Sequence, residues 1–432
     1  MNFERYKINF DIENVLPTHL PYLSEFYNST QELRNDVKDL FSFPLANKEA
    51  MPFYTISGIA CDDIATVAED VYGAMINAVD YLFENPVLIP QFYDCEMLRS
   101  NEGLAFIDYA QHTFRQKNML SQALYGRFDM AIDPKTDRVT GVYEFNGDTP
   151  VMLFESTALE SDFVRQIDIT GESQFNEYYE RISESLRQHR LGLCDKFAIV
   201  FNSDYIEDMA TCEILTELLG QHVTAFMVDI KELDYDHAGG SKPFIYSDIV
   251  LDGMFVLSPW EEMVTAFPAA FLNWKQWADS VVIMEPSWRW FMSNKGVWAL
   301  MTCMMSEESR WAHAWKDLPL LKTYMSKEPL LGNPQVSKPS LGRLSSNIEF
   351  LGADGEVIVS SEGYYGDTER VYQELCPAGS VRQGKNFIAG VWMAPHCSRN
   401  NLYARAGTLC FREFDNEIIE TMNERFIPHL VV

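Results

Sequence analysis

Tyr125-Gly-Arg-Phe-Asp-Met-Ala-Ile-Asp-Pro-Lys-Thr-Asp-Arg-Val-Thr-Gly-Val-Tyr-Glu-Phe-Asn-Gly-Asp-Thr-Pro150 is the stretch whose reading decides the rest. Two runs of strand-forming residues flank a turn cluster of Asp133, Pro134 and Asp137, which predicts an antiparallel hairpin. Side chains alternate faces along a strand, so Arg127 and Asp129 share one face, as do Glu144 and Asn146. A register that pairs Asp129 with Glu144 puts all four on the same side. One guanidinium, two carboxylates and an amide oxygen then form a cradle for a hard divalent cation beside an anionic group, because Mg²⁺ takes oxygen ligands and shares them with phosphates. On a solvated hairpin the same face would carry only an ordinary ion pair. The segment that follows, Gly147-Asp-Thr-Pro-Val-Met-Leu-Phe-Glu-Ser-Thr157, favours the cradle, since a turn and helix start come directly after the polar cluster.

The chain has 432 residues, long for one compact domain, so two or three packed subdomains are expected. Hydrophobic residues make up 47%, ample for a sizeable core and against disorder. The N-terminus lacks the apolar core of a signal peptide, and no apolar run approaches the ~18 residues of a membrane span. Eight cysteines are scattered with no C-x-x-C spacing, which fits reduced thiols in a cytoplasmic protein. A net charge of −29 argues against nucleic acid, whose phosphates need a basic footprint. That charge suits a cationic substrate, though acidic proteins without one are common.

Residues 1–60 mix short apolar runs with Pro17, Pro21, Pro44 and Pro52 and carry no evident chemistry. Asp63 to Phe83 has apolar residues at helical spacing. Val151–Leu159 and Asn176–Arg190 read as helices. Phe197–Phe201 and Val223–Val228 read as short strands around a helix at Glu207–Gln221, a β–α–β order that implies a parallel sheet. Strand-like segments over Phe244–Leu257 lead into an aromatic-rich helix at Met263–Ala278. The last part reads as strand Val281–Pro286, helix Ser293–Met304, strand Val336–Lys338, then strands at Val357–Ser361, Arg370–Leu375, Phe387–Met393 and Leu402–Cys410. No G-x-G-x-x-G occurs, so a dinucleotide is not implied.

Four further places have the residue types for ligand chemistry. Lys295 stands at a helix start, an end that favours anions, where a lysine is either an ordinary surface residue or a phosphate contact. Lys338 ends a strand before the Gly/Ser loop Ser340–Ser346, which is a plain turn or a ring of N–H groups around phosphates. Glu207 and Asp208 suit a cation, yet a helix N-terminus also prefers acids. His429 has no partner base or nucleophile in view and reads as structural.

"YGRFD" followed by "YEFNGDTP" resembles the paired signature of the glutathionylspermidine synthase family, ATP-grasp carboxylate–amine ligases. The likeness extends to "EPSW…NK" around Lys295, to "KPSLGRLSSNI" after Lys338, and to the tail Arg425–Val432. It implies an α/β ATP-grasp fold preceded by a Rossmann-like pre-ATP-grasp domain. The expected division is 1–190 supplying the hairpin, 191–280 as the Rossmann-like substrate domain, and 281–432 as the nucleotide-binding part. The resemblance further implies Asp129, Glu144 and Asn146 as magnesium ligands and Arg127 as the catalytic cation. ATP would be held by Lys295, Lys338, the Gly342, Leu344 and Ser345 loop, the hinge Gln373, Glu374 and Leu375, and Arg405 of Tyr403–Gly407. Thr149 would contact the carboxylate substrate, and Glu207 and Asp208 the amine. Some positions depart from the pattern. Leu257 stands where a hydroxyl residue contacts glutathione, Ala389 where a glutamine meets the nucleotide, and Ala406 where the residue is commonly polar. The cysteine-dependent amidase domain of bifunctional members is not expected here.

The reading is an ATP- and Mg²⁺-dependent ligase joining a small-molecule acid, glutathione-like, to an amine such as a polyamine. The alternatives are a ligase for another acid and amine, and a nucleotide-binding relative without ligase activity. No nucleic acid or membrane partner is expected.

Overall fold

A computed structural model describes residues 1–9, 12–27, 29–31, 51–116, 123–167, 174–189, 195–366, 368–396, 402–419 and 424–432. Pro44, Arg190, Cys194 and Cys397 fall outside these residues. The hairpin forms. Strands β3 (Arg127–Asp133) and β4 (Arg138–Asn146) pair antiparallel, with Arg127 opposite Asn146 and Asp129 opposite Glu144. The neighbours of β3 come from far along the chain. β17 (Asn386–Pro395) lies against it, followed by β18 (Ala404–Phe414) and β19 (Arg425–Ile427), to give a five-stranded antiparallel sheet.

Alternation sorts that sheet into two faces. Phe128, Met130 and Phe145 point into the main core, with the Phe128 and Phe145 rings 4.6 Å apart. The long helix Gly58–Glu84 covers this side, Tyr72 meeting Phe145 edge-on at 5.8 Å. It starts five residues earlier than the apolar spacing indicates, because the Ser57 hydroxyl caps it by accepting from the Ala60 N–H at 3.2 Å. The opposite face carries Arg127, Asp129, Glu144 and Asn146.

A second antiparallel sheet stands across from that polar face. Its order is β12 (Thr323–Tyr324), β16 (Arg370–Glu374), β13 (Gln335–Pro339), β14 (Glu349–Leu351) and β15 (Val357–Ser360). A third sheet is parallel, ordered β11 (Val282–Met284), β10 (Gly253–Val256), β5 (Lys196–Phe201) and β6 (Thr224–Asp229), with helix Ile206–Gly220 joining β5 to β6. A small sheet of β7 (Leu233–Tyr235), β8 (Phe244–Tyr246) and β9 (Ile249–Val250) follows β6. Finally β1 (Asn2–Tyr6), β2 (Met51–Ile56) and β20 (His429–Val431) bring the two ends of the chain together. His429 is fully buried there against Glu160, and its Nε2 accepts from the Phe175 N–H at 2.9 Å, a structural role as expected. Among the described residues no helix is long and apolar enough to cross a membrane.

Three helices differ from the periodic pattern, each for a local reason. Met263–Ala278 is not continuous: Trp260–Ala266 stops at Phe267, Pro268–Leu272 restarts with its proline at the first position, and a 3₁₀ turn covers Trp274–Gln276. Pro268 has no N–H to offer the preceding turn. Ser293–Met304 begins instead at Gly296, because Asn294 leaves the helix and its Oδ1 accepts from the Gly296 N–H at 2.8 Å. Val151–Leu159 begins after Met152, whose φ of 76° is left-handed, and passes through a wide π turn at Glu155–Leu159 before continuing to Arg165.

Gly390 of β17 lies directly opposite Asp129. A β-carbon there would sit 2.4 Å from the Cys410 Sγ and 2.7 Å from the Arg127 Cδ. Gly390→Ala is therefore expected to lower unfolding free energy by about 1–3 kcal/mol, as overpacking does, in a denaturant titration. An unchanged midpoint would mean that Arg127 moves aside freely.

Candidate active site

One cavity of about 1330 Å³ lies between the two antiparallel sheets and opens onto the C-terminal ends of β5 and β10. It gathers almost every residue singled out from the sequence. Arg127, Asp129, Glu144, Asn146, Thr149, Glu207, Asp208, Lys295, Lys338, Gly342, Leu344, Ser345, Gln373, Glu374 and Leu375 all line it. Arg405 does not join them. It is exposed and pairs with Ala394, six residues along β17 from Ile388, the partner of Arg412. At ~3.4 Å per residue that is roughly 20 Å from the cavity end of the same strand. The arginine of β18 that lines the cavity is Arg412.

Asp129 is the most constrained group of the hairpin face. The Arg127 Nε donates to its Oδ1 at 2.7 Å, and Arg412 pairs with its Oδ2. Burial alone would raise this carboxyl, but the two guanidiniums outweigh it and hold the group below the usual carboxylate range. Arg127 also donates to the Val151 carbonyl, and Arg412 reaches Glu424 at 3.1 Å. Next to Asp129, Glu144 meets Lys295 Nζ at 3.2 Å. The Asn146 Oδ1 accepts from the Thr149 N–H at 3.3 Å, which folds the turn after β4 back under the cavity. Two carboxylates and an amide are the oxygen donors a Mg²⁺ ion takes, so the donor set fits that metal. Among the described residues no cluster of three His, Cys, Asp or Glu forms a separate metal group.

Lys295 and Lys338 reach this face from different elements, the start of helix Gly296–Glu307 and strand β13. Lys295 Nζ donates to the Gly342 carbonyl at 2.7 Å, so the loop after β13 is tied to the hairpin through one ammonium. Lys338 is buried and donates to the Gln373 Oε1 at 2.9 Å. Burial pushes its ammonium down to about 8, Lys295 pushes the same way, and Glu144 and Asp129 oppose both. The loop holds Leu344, Ser345 and Asn347 at φ values of 53°, 53° and 55°, a left-handed run without glycine. Arg343 anchors it, its Nε donating to Asp148 at 3.0 Å and its Nη2 to Glu261 at 2.7 Å. At the hinge the Glu374 N–H is taken by the Lys322 carbonyl at 2.9 Å, whereas Leu375 N–H reaches Pro334 only at 3.4 Å.

The other end of the cavity is lined by carboxyls. Glu207 and Asp208 begin the helix after β5, Glu155 sits on the π turn, and Glu262 lies beyond β10. Burial pushes Glu207 up to about 7, with Glu424 adding and Arg127 opposing. Burial pushes Glu155 up to about 8, eased by its own backbone N–H and reinforced by Glu207 and Glu424. Asp208 lies well above its ordinary range through burial first and Glu207 second. Leu257, read as a departure from the family pattern, is buried in this same wall, whereas Ala389 lies in β17 outside the cavity lining.

A family model described as glutathionylspermidine synthase pre-ATP-grasp matches residues 47–432. The chain belongs to that family. An ATP-grasp fold with a pre-ATP-grasp part accords with the sheets described. This glutathionylspermidine synthase family member is 24% identical over 323 residues to a Haemophilus influenzae protein provisionally named an acid–amine ligase, across 72% of this chain and 75% of that protein. It is 28% identical over 121 residues to the trypanothione synthetase of Crithidia fasciculata, a match covering 28% of this chain and only 17% of that enzyme. Among solved structures, a glutathione synthetase-like effector of Globodera pallida in its apo form superposes with a TM-score of 0.51 at 11% identity, over 93% of this chain and 97% of that one. That likeness bears on fold alone.

Sequence reading missed Arg412, Arg343, Asp148 and Glu155. Charge set inside an apolar run signals two of them: the Arg412–Glu413 pair in Leu409-Cys-Phe-Arg-Glu-Phe414 and the lone Glu155 after Met152-Leu-Phe154.

Carboxyls raised in this way keep protons to higher pH than ordinary carboxyls, and those still protonated must release them to receive a cation. Spermidine, used as a polycationic probe, is expected to bind more tightly as pH rises through about 7, with proton release. The gain is at most about tenfold per pH unit for each proton displaced. Calorimetry at several pH values in buffers of different ionisation enthalpy measures both. An affinity that is flat from pH 6 to 8 would show these groups already ionised.

Proposed function

We propose that the chain is an ATP- and Mg²⁺-dependent carboxylate–amine ligase of the glutathionylspermidine synthase kind, acting through an acyl phosphate. One observation carries the reading: a single cavity has two lysines and an oxygen-donor hairpin at one end, and at the other acids that form no ion pair among the described residues. The family, and the names its relatives carry, support an amide-forming ligase.

In this reading the substrate carboxylate attacks the γ-phosphate and ADP departs. An amine then attacks the acyl carbon, and phosphate leaves. Phosphoryl transfer is governed by positioning and charge neutralisation, so the chain needs fixed cations more than a covalent nucleophile. Asp129, Glu144 and Asn146 would hold Mg²⁺, which when bound offsets the charge of the nucleotide phosphates. Lys295 and Lys338 neutralise those phosphates, helped by backbone N–H groups of the Gly342–Ser346 loop. Gln373, Glu374 and Leu375 border the base, and the loosely paired Leu375 N–H is the one best able to exchange partners. Arg127 stabilises the acyl phosphate and the oxyanion of the tetrahedral adduct, and Thr149 contacts the acid. Glu207 and Asp208 attract the amine. The division into 1–190, 191–280 and 281–432 belongs to the same proposal, as does a cytoplasmic setting, which the scattered cysteines without C-x-x-C spacing support.

Leu257 favours a second reading of the substrates. A buried leucine side chain in the cavity wall offers no hydrogen bond to a peptide-like acid, which favours an acid of a class other than glutathione without changing the ATP end.

Phosphate release from ATP and Mg²⁺, with and without glutathione plus spermidine and with Glu144→Ala as the blank, tests the function. Release that needs both supports the named ligase, and ATP binding without stimulation supports another substrate pair. Failure to bind ATP overturns the reading. Arg127→Ala is expected to keep ATP binding by calorimetry and to lower turnover at least ~10²-fold, the scale of one lost oxyanion donor. Unchanged turnover removes Arg127 from the mechanism.

A further inference from the structure

We propose that Glu155 takes the proton from the incoming ammonium nitrogen, a catalytic role beyond the residues assigned above, and one that rests on the ligase reading. Glu155 lines the cavity yet is only 8% exposed. Among the described residues no cation pairs with it, and its carboxylate accepts only from its own backbone N–H. The other acids near the hairpin are committed. Asp129 is held by two guanidiniums, Glu144 by Lys295, Asp148 by Arg343, and Glu424 by Arg412. A buried, unpaired carboxyl facing a ligand cavity is the form a proton acceptor takes.

Its position is fixed as well as free. Glu155 opens the π turn, a local widening that recurs at functional sites. The following hydroxyls lock that turn, Ser156 donating to the Met152 carbonyl at 2.6 Å and Thr157 to the Leu153 carbonyl at 2.7 Å. Trp392 of β17 donates to the Ser156 Oγ at 3.1 Å, tying the turn to the sheet that carries Arg127. Arg127 also grips the Val151 carbonyl, four residues before Glu155. The charged groups that act on Glu155 are Glu207 from the helix after β5, Glu424 before β19, and Arg127 of β3. Asp208 adjoins Glu207, and Arg412 is bound to Glu424. Glu155 thus feels both Glu207, one of the acids that attract the amine, and Arg127, the arginine assigned to the acyl phosphate.

The step balances. The amine nitrogen forms its bond to the acyl carbon, and the bond from that carbon to the phosphate oxygen breaks. The ammonium nitrogen sheds two protons: one goes to a Glu155 oxygen and the other leaves on phosphate as HPO₄²⁻.

Two measurements on the full-length protein and Glu155→Gln test this. Infrared difference titration reads the carboxyl without any substrate: the band removed by the substitution is expected to titrate near 8. Titration at an ordinary ~4.3 overturns the proposal. The second measurement uses ATP, Mg²⁺ and glutathione with either hydroxylamine or spermidine. Hydroxylamine is neutral at pH 7 and needs no base, so the variant is expected to form hydroxamate at the wild-type rate. Amide formation with spermidine should fall at least ~10²-fold, the usual worth of a general base. Equal amide rates in the two proteins, or parallel loss of hydroxamate, overturn the role. Absence of hydroxamate in the wild type marks failure of the ligase reading with this acid, and the infrared titration then decides the case of Glu155.

Discussion

Asp129, clasped by Arg127 from its own strand and by Arg412 from β18, is the contact on which the rest of the site depends. β3 and β18 are not neighbours; β17 runs between them. The clasp closes because the β17 residue opposite both Asp129 and Cys410 is Gly390, which has no side chain to stand in the gap. Residues more than 280 positions apart thereby meet over one bare backbone position. Buried ion networks of this kind contribute little net stability, because desolvation consumes most of the attraction. Their effect is geometric: three charges within one network fix where the guanidinium of Arg127 sits relative to Glu144 and Asn146.

That clasp also explains what could be read in the sequence and what could not. The hairpin register was legible, since period-two alternation and a two-sided polar pattern leave one pairing that puts Arg127, Asp129, Glu144 and Asn146 together. The parallel sheet was legible for a similar reason, as strand, helix and strand follow one another within 35 residues of chain. Arg412 was not. The β17–β18 register shifts between Trp392 and Met393, so one residue of β18, Gly407, has no partner opposite. A bulge reverses the parity of everything beyond it, and alternation counted from Arg405 cannot say which face a later residue takes. Arg405 shares the face of Arg412 but lies at the far end of the strand, which no local pattern reveals. Likewise the break in Met263–Ala278 hinges on Pro268, whereas the π turn at Glu155 depends on packing against Trp392, a contact 236 residues away.

The charge arrangement of the cavity follows from which elements supply each end. The two antiparallel sheets, the loop after β13 and the helix start at Lys295 bring arginines and lysines that are each tied to an acid or a carbonyl, so the cations are present but already directed. The parallel sheet contributes strand ends and the start of helix Ile206–Gly220, whose partial positive charge favours acids in the first turn. That dipole is too weak to offset the burial of Glu207 and Asp208, both of which rise above their ordinary range. Below their raised pKa values these acids therefore keep protons instead of becoming paired charges. A cationic ligand is the species that changes this state, since Arg127 opposes the burial of Glu155 only weakly and no described cation pairs with it. In the proposed mechanism charge selection and proton acceptance become one event: the arriving ammonium ionises the carboxyl that would later deprotonate it, beside the Arg127 proposed to hold the acyl group.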